Sequence, residues 1–161
     1  MALAEDLLRQ ASHLATYQGA NPTQADLRRA VSTAYYALFH LLIEDAAQRW
    51  NGSPAAATGL ERAFSHGQMR TASLRFDNPR WPDWHGVSQT IPAALQRVAR
   101  SFVELQDERH AADYNNHREW SVTDVQDTLT AASAAFTDWQ SVRTDPLAGD
   151  YLLSMLLGKS R

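Results

Sequence analysis

The stretch Glu108-Arg109-His110-Ala111-Ala112-Asp113-Tyr114-Asn115-Asn116-His117 gathers arginine, histidine, aspartate and tyrosine within a few helical turns. Arginine can grip a phosphate through two parallel hydrogen bonds, and histidine can move a proton near neutral pH. Arg109 and His117 therefore form a candidate catalytic pair for metal-free cleavage of a phosphodiester, with Asp113, Tyr114 and His110 in support. On a helix Arg109 and Asp113 share a face, and so do His110 and Tyr114. The plainer alternative makes Arg109 and Asp113 an intrahelical ion pair, with Tyr114 packed and His117 in a solvated turn. Eight residues of helix separate Arg109 from His117 by roughly 12 Å of rise. One phosphate can meet both only if the helix ends early, which Asn115 and Asn116 permit.

A second group lies upstream, in Arg28-Arg29-Ala30-Val31-Ser32-Thr33-Ala34-Tyr35-Tyr36-Ala37-Leu38-Phe39-His40. Arg29, Ser32, Tyr36 and His40 fall on one helical face. Tyr36 and His40, with Asp113 and Tyr114, are the candidate ligand-binding residues; core or interface packing is the alternative for both. Two polar faces on otherwise apolar helices are expected to meet, because buried polar groups need partners. Trp81 and Trp84, in a proline-rich loop, could stack bases or fasten the loop to the body. Metal chemistry has little support. No Glu-x-x-His pair suggests a carboxylate-bridged di-iron site, and three histidines from His40, His66 and His110 or His117 lack a ligand spacing. No metal or other cofactor is expected, and nucleophile-elbow, phosphate-loop and dinucleotide motifs are absent.

Six helical segments position these residues. The first runs from about Leu3 to Tyr17, with Leu3, Leu7, Leu8, Ala11, Leu14 and Ala15 at helical spacing. Gln18 to Pro22 breaks it, and Thr23 can cap the second, about Gln24 to Trp50. Asn51-Gly52-Ser53-Pro54 stops that helix. The third covers about Ala55 to Leu74, and the loop Asp77 to Gly86 follows. The fourth covers about Gln89 to Tyr114. Ser121 caps the fifth, about Val122 to Arg143, and Asp145-Pro146 starts a short last helix. No alternating strand pattern stands out. The expectation is an all-α protein: an up-down bundle of four to five main helices plus a short C-terminal helix, residues 1–161 forming a single domain.

The two motif helices resemble those of the HEPN family, helical bundles of bacteria and archaea that often partner minimal nucleotidyltransferases. The resemblance rests on the basic-small-Ala-Tyr-Tyr-Ala-x-Phe-His helix ending at His40 and on Arg-x-x-Ala-Asp-Tyr from Arg109 to Tyr114. It implies nucleotide, RNA or partner binding, a homodimer, and a nucleotidyltransferase or antitoxin as partner in a toxin-antitoxin setting. The ribonuclease members join two copies of an arginine-to-histidine motif at a dimer interface, which implies Arg109 and His117 as the catalytic pair of an endoribonuclease toxin. Here seven residues stand between those two, more than in the family pattern, and Tyr114 occupies the earliest histidine position. Arg80 and His85 match the spacing, but in the Pro/Trp loop. A structural interaction module without ligand is the third reading.

Composition limits the alternatives. With no cysteine, disulfides, thiolate zinc sites and cysteine nucleophiles are excluded. At this length a chain buries about 70% of its unfolded surface and can build a core without staples. The net charge of −3 argues against indiscriminate nucleic-acid binding. Charge is uneven, however: Arg62, Arg70, Arg75 and Arg80 oppose Glu61 and Asp77, while Asp124, Asp127, Asp138, Asp145 and Asp150 oppose Arg143 alone. All basic residues but Lys159 are arginine. No apolar run is long enough to span a membrane, Met1 to Gln10 lacks the apolar core of a signal peptide, and a cytoplasmic location is expected.

Overall fold

In the computed structural model, which describes residues 2–16 and 21–157, the fold is all-α. Seven helices and one two-stranded ribbon follow in order: α1 (Ala2–Thr16), α2 (Gln24–Arg49), α3 (Pro54–Ala63), α4 (His66–Phe76), β1 (Arg80–Pro82), β2 (Ser88–Thr90), α5 (Ala93–Tyr114), α6 (Val122–Val142) and α7 (Pro146–Leu157). The expected end of the first helix at Tyr17 and its breakers Gln18 and Gly19 lie outside the described residues. No helix among the described residues is long and apolar enough to cross a membrane.

The chain divides into two compact units, and the divisions fall inside α2, α5 and α6. Unit 1 comprises Met1–Leu41 and Glu104–Phe136; unit 2 comprises Leu42–Val103 and Thr137–Arg161. Helix starts follow local chemistry. Thr23 Oγ1 accepts the Asp26 amide at 3.1 Å while the Asp26 carboxylate accepts the Thr23 amide at 2.9 Å, a reciprocal cap. Ser121 and Asp124 repeat the arrangement ahead of α6. The Ser121 amide, and after it the Ser121 hydroxyl, hold the Asp124 carboxyl below the usual carboxylate range. Asp145 Oδ1 accepts the Leu147 amide at 2.8 Å, and Pro146 opens α7 behind it.

Two expected elements come out differently. The single segment from Ala55 to Leu74 is two helices, because Phe64 turns extended and Ser65 caps a new start by accepting the Gln68 amide. Helix α3 buries none of its residues, so no packing favours carrying it through Ser65. The Pro/Trp loop contains an antiparallel hairpin, with Trp81 opposite Gln89, which claims Gln89 and Thr90 from the expected fourth helix. Trp81 points inward while Arg80 and Pro82 face out, the alternation of a strand. Asp83 closes the turn: its Oδ1 accepts the His85 and Val87 amides at 2.9 and 2.8 Å, and Gly86 adopts a φ of 83°. The Val87 amide holds the Asp83 carboxyl below its usual range, against the opposing effect of desolvation.

In unit 2, α4 packs on α7 through Met69, Ala72 and Phe76 against a helix that buries Leu147, Ala148, Tyr151, Leu152 and Met155. The buried Ser73 hydroxyl gives its one proton to Met69 O, so Tyr151 is the donor in the 2.7 Å bond between the two hydroxyls. The charged core group is Asp45, which has no exposed surface. Its carboxylate accepts Arg49 Nη2 at 3.0 Å, Trp139 Nε1 at 3.1 Å and Arg143 Nη2. Arg49 also donates to the Arg143 carbonyl and lies over the Trp139 ring. Replacing Asp45 by alanine strands a buried indole N–H and two guanidinium groups. Because the arginines still reach solvent, the expected cost is at the low end for a broken buried pair, about 3 kcal/mol. Urea denaturation of the wild type and Asp45→Ala measures it; a difference below about 1 kcal/mol would mean the cluster is not stabilising.

Candidate functional site

The candidate residues lie in unit 1, on α2 and on the C-terminal half of α5. α2 is buried on most sides from Leu27 onward, with Ala30, Val31, Ala34, Tyr35, Ala37 and Leu38 at or near zero exposure. Such a helix leaves few directions for its polar side chains, and each must find a partner or an opening.

The first partner set is a clamp on the end of α5. Arg28 Nη1 donates to the carbonyls of Ala112 and Asn115, both at 2.9 Å, and Nη2 donates to the carbonyl of Arg118. These carbonyls at and beyond the last turn of α5 have no onward helical partners. Asn115 Oδ1 accepts the amides of His117 and Arg118, folding the chain back immediately after the helix. Gln24 then pairs with Trp120 as a strand would, its amide donating to Trp120 O at 2.8 Å and accepting Trp120 N at 2.9 Å. Arg118 lies 3.7 Å over the Trp120 ring and binds both oxygens of Glu108.

Next to this clamp runs a polar seam between α2 and α5. Arg109 Nη2 donates to the Tyr36 hydroxyl at 3.2 Å, and its Nε stands 3.1 Å from Asp113 Oδ2. The ion pair lies off the hydrogen-bonding direction, so the buried Nε makes no hydrogen bond. Ser32 Oγ reaches the same Asp113 oxygen at 3.4 Å. The guanidinium sits 5.7 and 5.5 Å from the rings of Tyr35 and Tyr36, within cation-π range. Tyr36 thus meets Arg109 across the helix contact, with Asp113 in the same seam, as two matching polar faces should.

His40 lies one turn further along α2 and opens elsewhere. With Arg29, Thr33 and Tyr36 it lines a cleft of about 530 Å³, whose other wall is the Leu3, Leu7 and Leu14 stripe of α1. That stripe is a departure from expectation. α1 packs through Ala4, Ala11 and Ala15, while Leu3 is 49% exposed and Leu7 and Leu14 are half-buried. Small residues bring the helix close and leave its leucines at the cleft mouth.

Tyr114 and His117 line a third feature, a shallow shelf at the end of α5 shared with Asp107 and His110. Tyr114 is 65% exposed, with its ring 4.9 Å from that of His110. α5 does end early, at Tyr114, and the chain does reverse. The reversal puts His117 on the shelf with His110, whereas Arg109 points into the seam. Tyr36, Arg109 and Asp113 are therefore brought together, His40 shares a cleft with Tyr36, and Tyr114 and His117 lie on the other feature. Among the described residues no three histidine, aspartate or glutamate side chains are placed to hold a metal ion.

Sequence reasoning passed over Arg28, Gln24 and Arg118. The first two bind main-chain groups, which leave no trace in the identity of the partner residue. No protein-family model matches the chain, and no curated protein and no solved structure matches it. The clamp has a direct test. Arg28→Ala removes three charge-assisted bonds and is expected to cost about 2 kcal/mol. Amide exchange at His117 and Arg118 should accelerate more than exchange in α7; uniform acceleration would show that Arg28 does not hold this turn in particular.

Proposed function

We propose that this chain is a HEPN-like binding protein that takes the phosphate of a nucleotide or RNA in the cleft between α1 and α2. The observation that carries this reading is the division of labour among the arginines. Arg109 is engaged by Tyr36, Asp113 and two aromatic rings. Arg29, on the face of α2 shared with Tyr36 and His40, makes no ion pair or hydrogen bond among the described residues. An exposed guanidinium beside an aromatic ring, an imidazole and an apolar wall suits an anionic ligand with a flat apolar part. Arg109 then positions Tyr36 rather than touching the ligand.

The endoribonuclease reading keeps one supporting observation, the early end of α5 that turns His117 back beside His110. One set of measurements separates the two. Purified protein is titrated with labelled RNA, and metal-free cleavage of mixed RNA is followed in parallel. The binding reading expects no cleavage, with affinity about tenfold lower in Arg29→Ala, as loss of one charge-assisted contact implies. Cleavage by the wild type that disappears in both Arg109→Ala and His117→Ala would replace it with the nuclease.

A second copy of the chain, and a nucleotidyltransferase or antitoxin, are the partners this reading carries. The dimer is supported by the exposed leucines Leu153 and Leu157 on the outer side of α7 and Leu3 on α1. Light scattering across a wide concentration range should report twice the chain mass, and a monomer throughout would remove the dimer.

A further inference from the structure

The hairpin of unit 2 presents a second, separate opening. Its cleft, about 530 Å³, is lined by Arg75 at the end of α4, Asn78, Arg80 and Trp81 on β1, and Trp84 at the turn. We infer that this cleft binds a nucleotide unit, with the base on Trp84 and the phosphate on Arg75 and Arg80.

The aromatic groups come first. Tyr151, Phe76 and Trp81 form a continuous chain of rings out of the core, with centroids 5.1 and 4.8 Å apart. Trp81 is buried and fastens the hairpin. Trp84 continues the chain at 5.2 Å, but at an interplanar angle of 80°, so the two indoles do not cover one another by stacking. Trp84 remains 40% exposed. Apolar burial explains Trp81 and does not explain Trp84. An indole held edge-to-face on a rigid base is a stacking platform, since every nucleobase offers a π-face.

The charges supply the second half. Arg75 and Arg80 form no ion pair among the described residues. The two nearby acids are occupied. Asp77 is bound by Arg100 at 2.9 Å. Asp83 turns into its own hairpin, one oxygen taken by the His85 and Val87 amides and the other 3.5 Å from Gln89 Nε2. Two guanidinium groups therefore line the cleft against one carboxylate, Asp83, whose oxygens are turned to the hairpin amides, which leaves the positive charge in excess for a phosphate. Asn78, which also lines the cleft, accepts the Arg80 amide with its Oδ1 at 3.2 Å, so its side-chain amide nitrogen keeps its two protons to donate. The platform is preorganised, because the Asp83 turn and the Asp83 N to Val87 O bond of 2.7 Å fix the hairpin before any ligand arrives.

Free nucleotides and single strands share this chemistry, and the probes distinguish them: adenosine monophosphate, a short oligoadenylate, its abasic counterpart and inorganic phosphate. Binding to the intact protein is followed by calorimetry and by tryptophan fluorescence. Oligoadenylate or the mononucleotide should quench fluorescence, with Trp84→Ala lowering that affinity roughly tenfold or more and Trp84→Phe restoring most of it. Arg80→Ala should weaken binding similarly and flatten its salt dependence. Arg62→Ala, at an exposed arginine of α3 outside the cleft, should leave this response unchanged, which ties the response to the cleft rather than to positive charge in general. Quenching by oligoadenylate alone assigns a single strand; equal response to the mononucleotide assigns a free nucleotide. Equal affinity for the abasic strand, no binding of any probe, or affinity unchanged in both Trp84→Ala and Arg80→Ala would overturn the assignment.

Discussion

α2 carries polar side chains out of water, and the requirement that each be satisfied organises much of what surrounds it. A buried polar group without a partner costs about 1–3 kcal/mol, and a buried charge costs more. Three answers to that requirement occur along one helix. Arg28 meets carbonyls left over by α5, Tyr36 meets Arg109, and Asp45 meets two arginines and an indole. Between them Ala30, Ala34, Ala37 and Ala46 are buried along the same helix. The polar positions thus do not interrupt the core; they determine which partner residues must lie next to it.

Arginine suits this role in a way lysine does not. Arg28 addresses three carbonyls, and Arg49 addresses a carboxylate and a carbonyl while lying over an indole. Each case uses the planar fork of donors and its weak hydration. The abundance of arginine therefore has structural work behind it in places where the sequence invites thoughts of phosphate. Arg29, Arg75 and Arg80 differ because they line openings and form no side-chain ion pair or hydrogen bond among the described residues.

What could be read from the sequence was whatever depends on local chemistry. Thr23, Ser121 and Asp145 announced helix starts because capping involves residues only a few positions apart. The meeting of Tyr36 with Arg109 was legible because a polar side chain on an apolar helix face has few places to go. The break at Phe64–Ser65 was not, since Ser65 lies in a stretch whose composition suits a helix throughout, and the deciding fact is that α3 has no fully buried residue. The hairpin was hidden because its strands are only three residues each, too short to show alternation. The placement of His117 depended on a carbonyl clamp by Arg28, whose partners are invisible in sequence because every residue has a carbonyl.

The thin packing of α3 bears on how the molecule opens. A ten-residue helix with no fully buried residue, only Ala57 and Leu60 being half-buried, rests mainly on its own hydrogen bonds and the Ser53 cap. Helices of that length are marginal in water on their own. Its opening therefore need not await loss of either core, and it defines a separate cooperative step at the low end of the stability range. Proteolytic cleavage under native conditions falls on such a segment first, because a protease needs an extended stretch of backbone and this is where it costs least to make one.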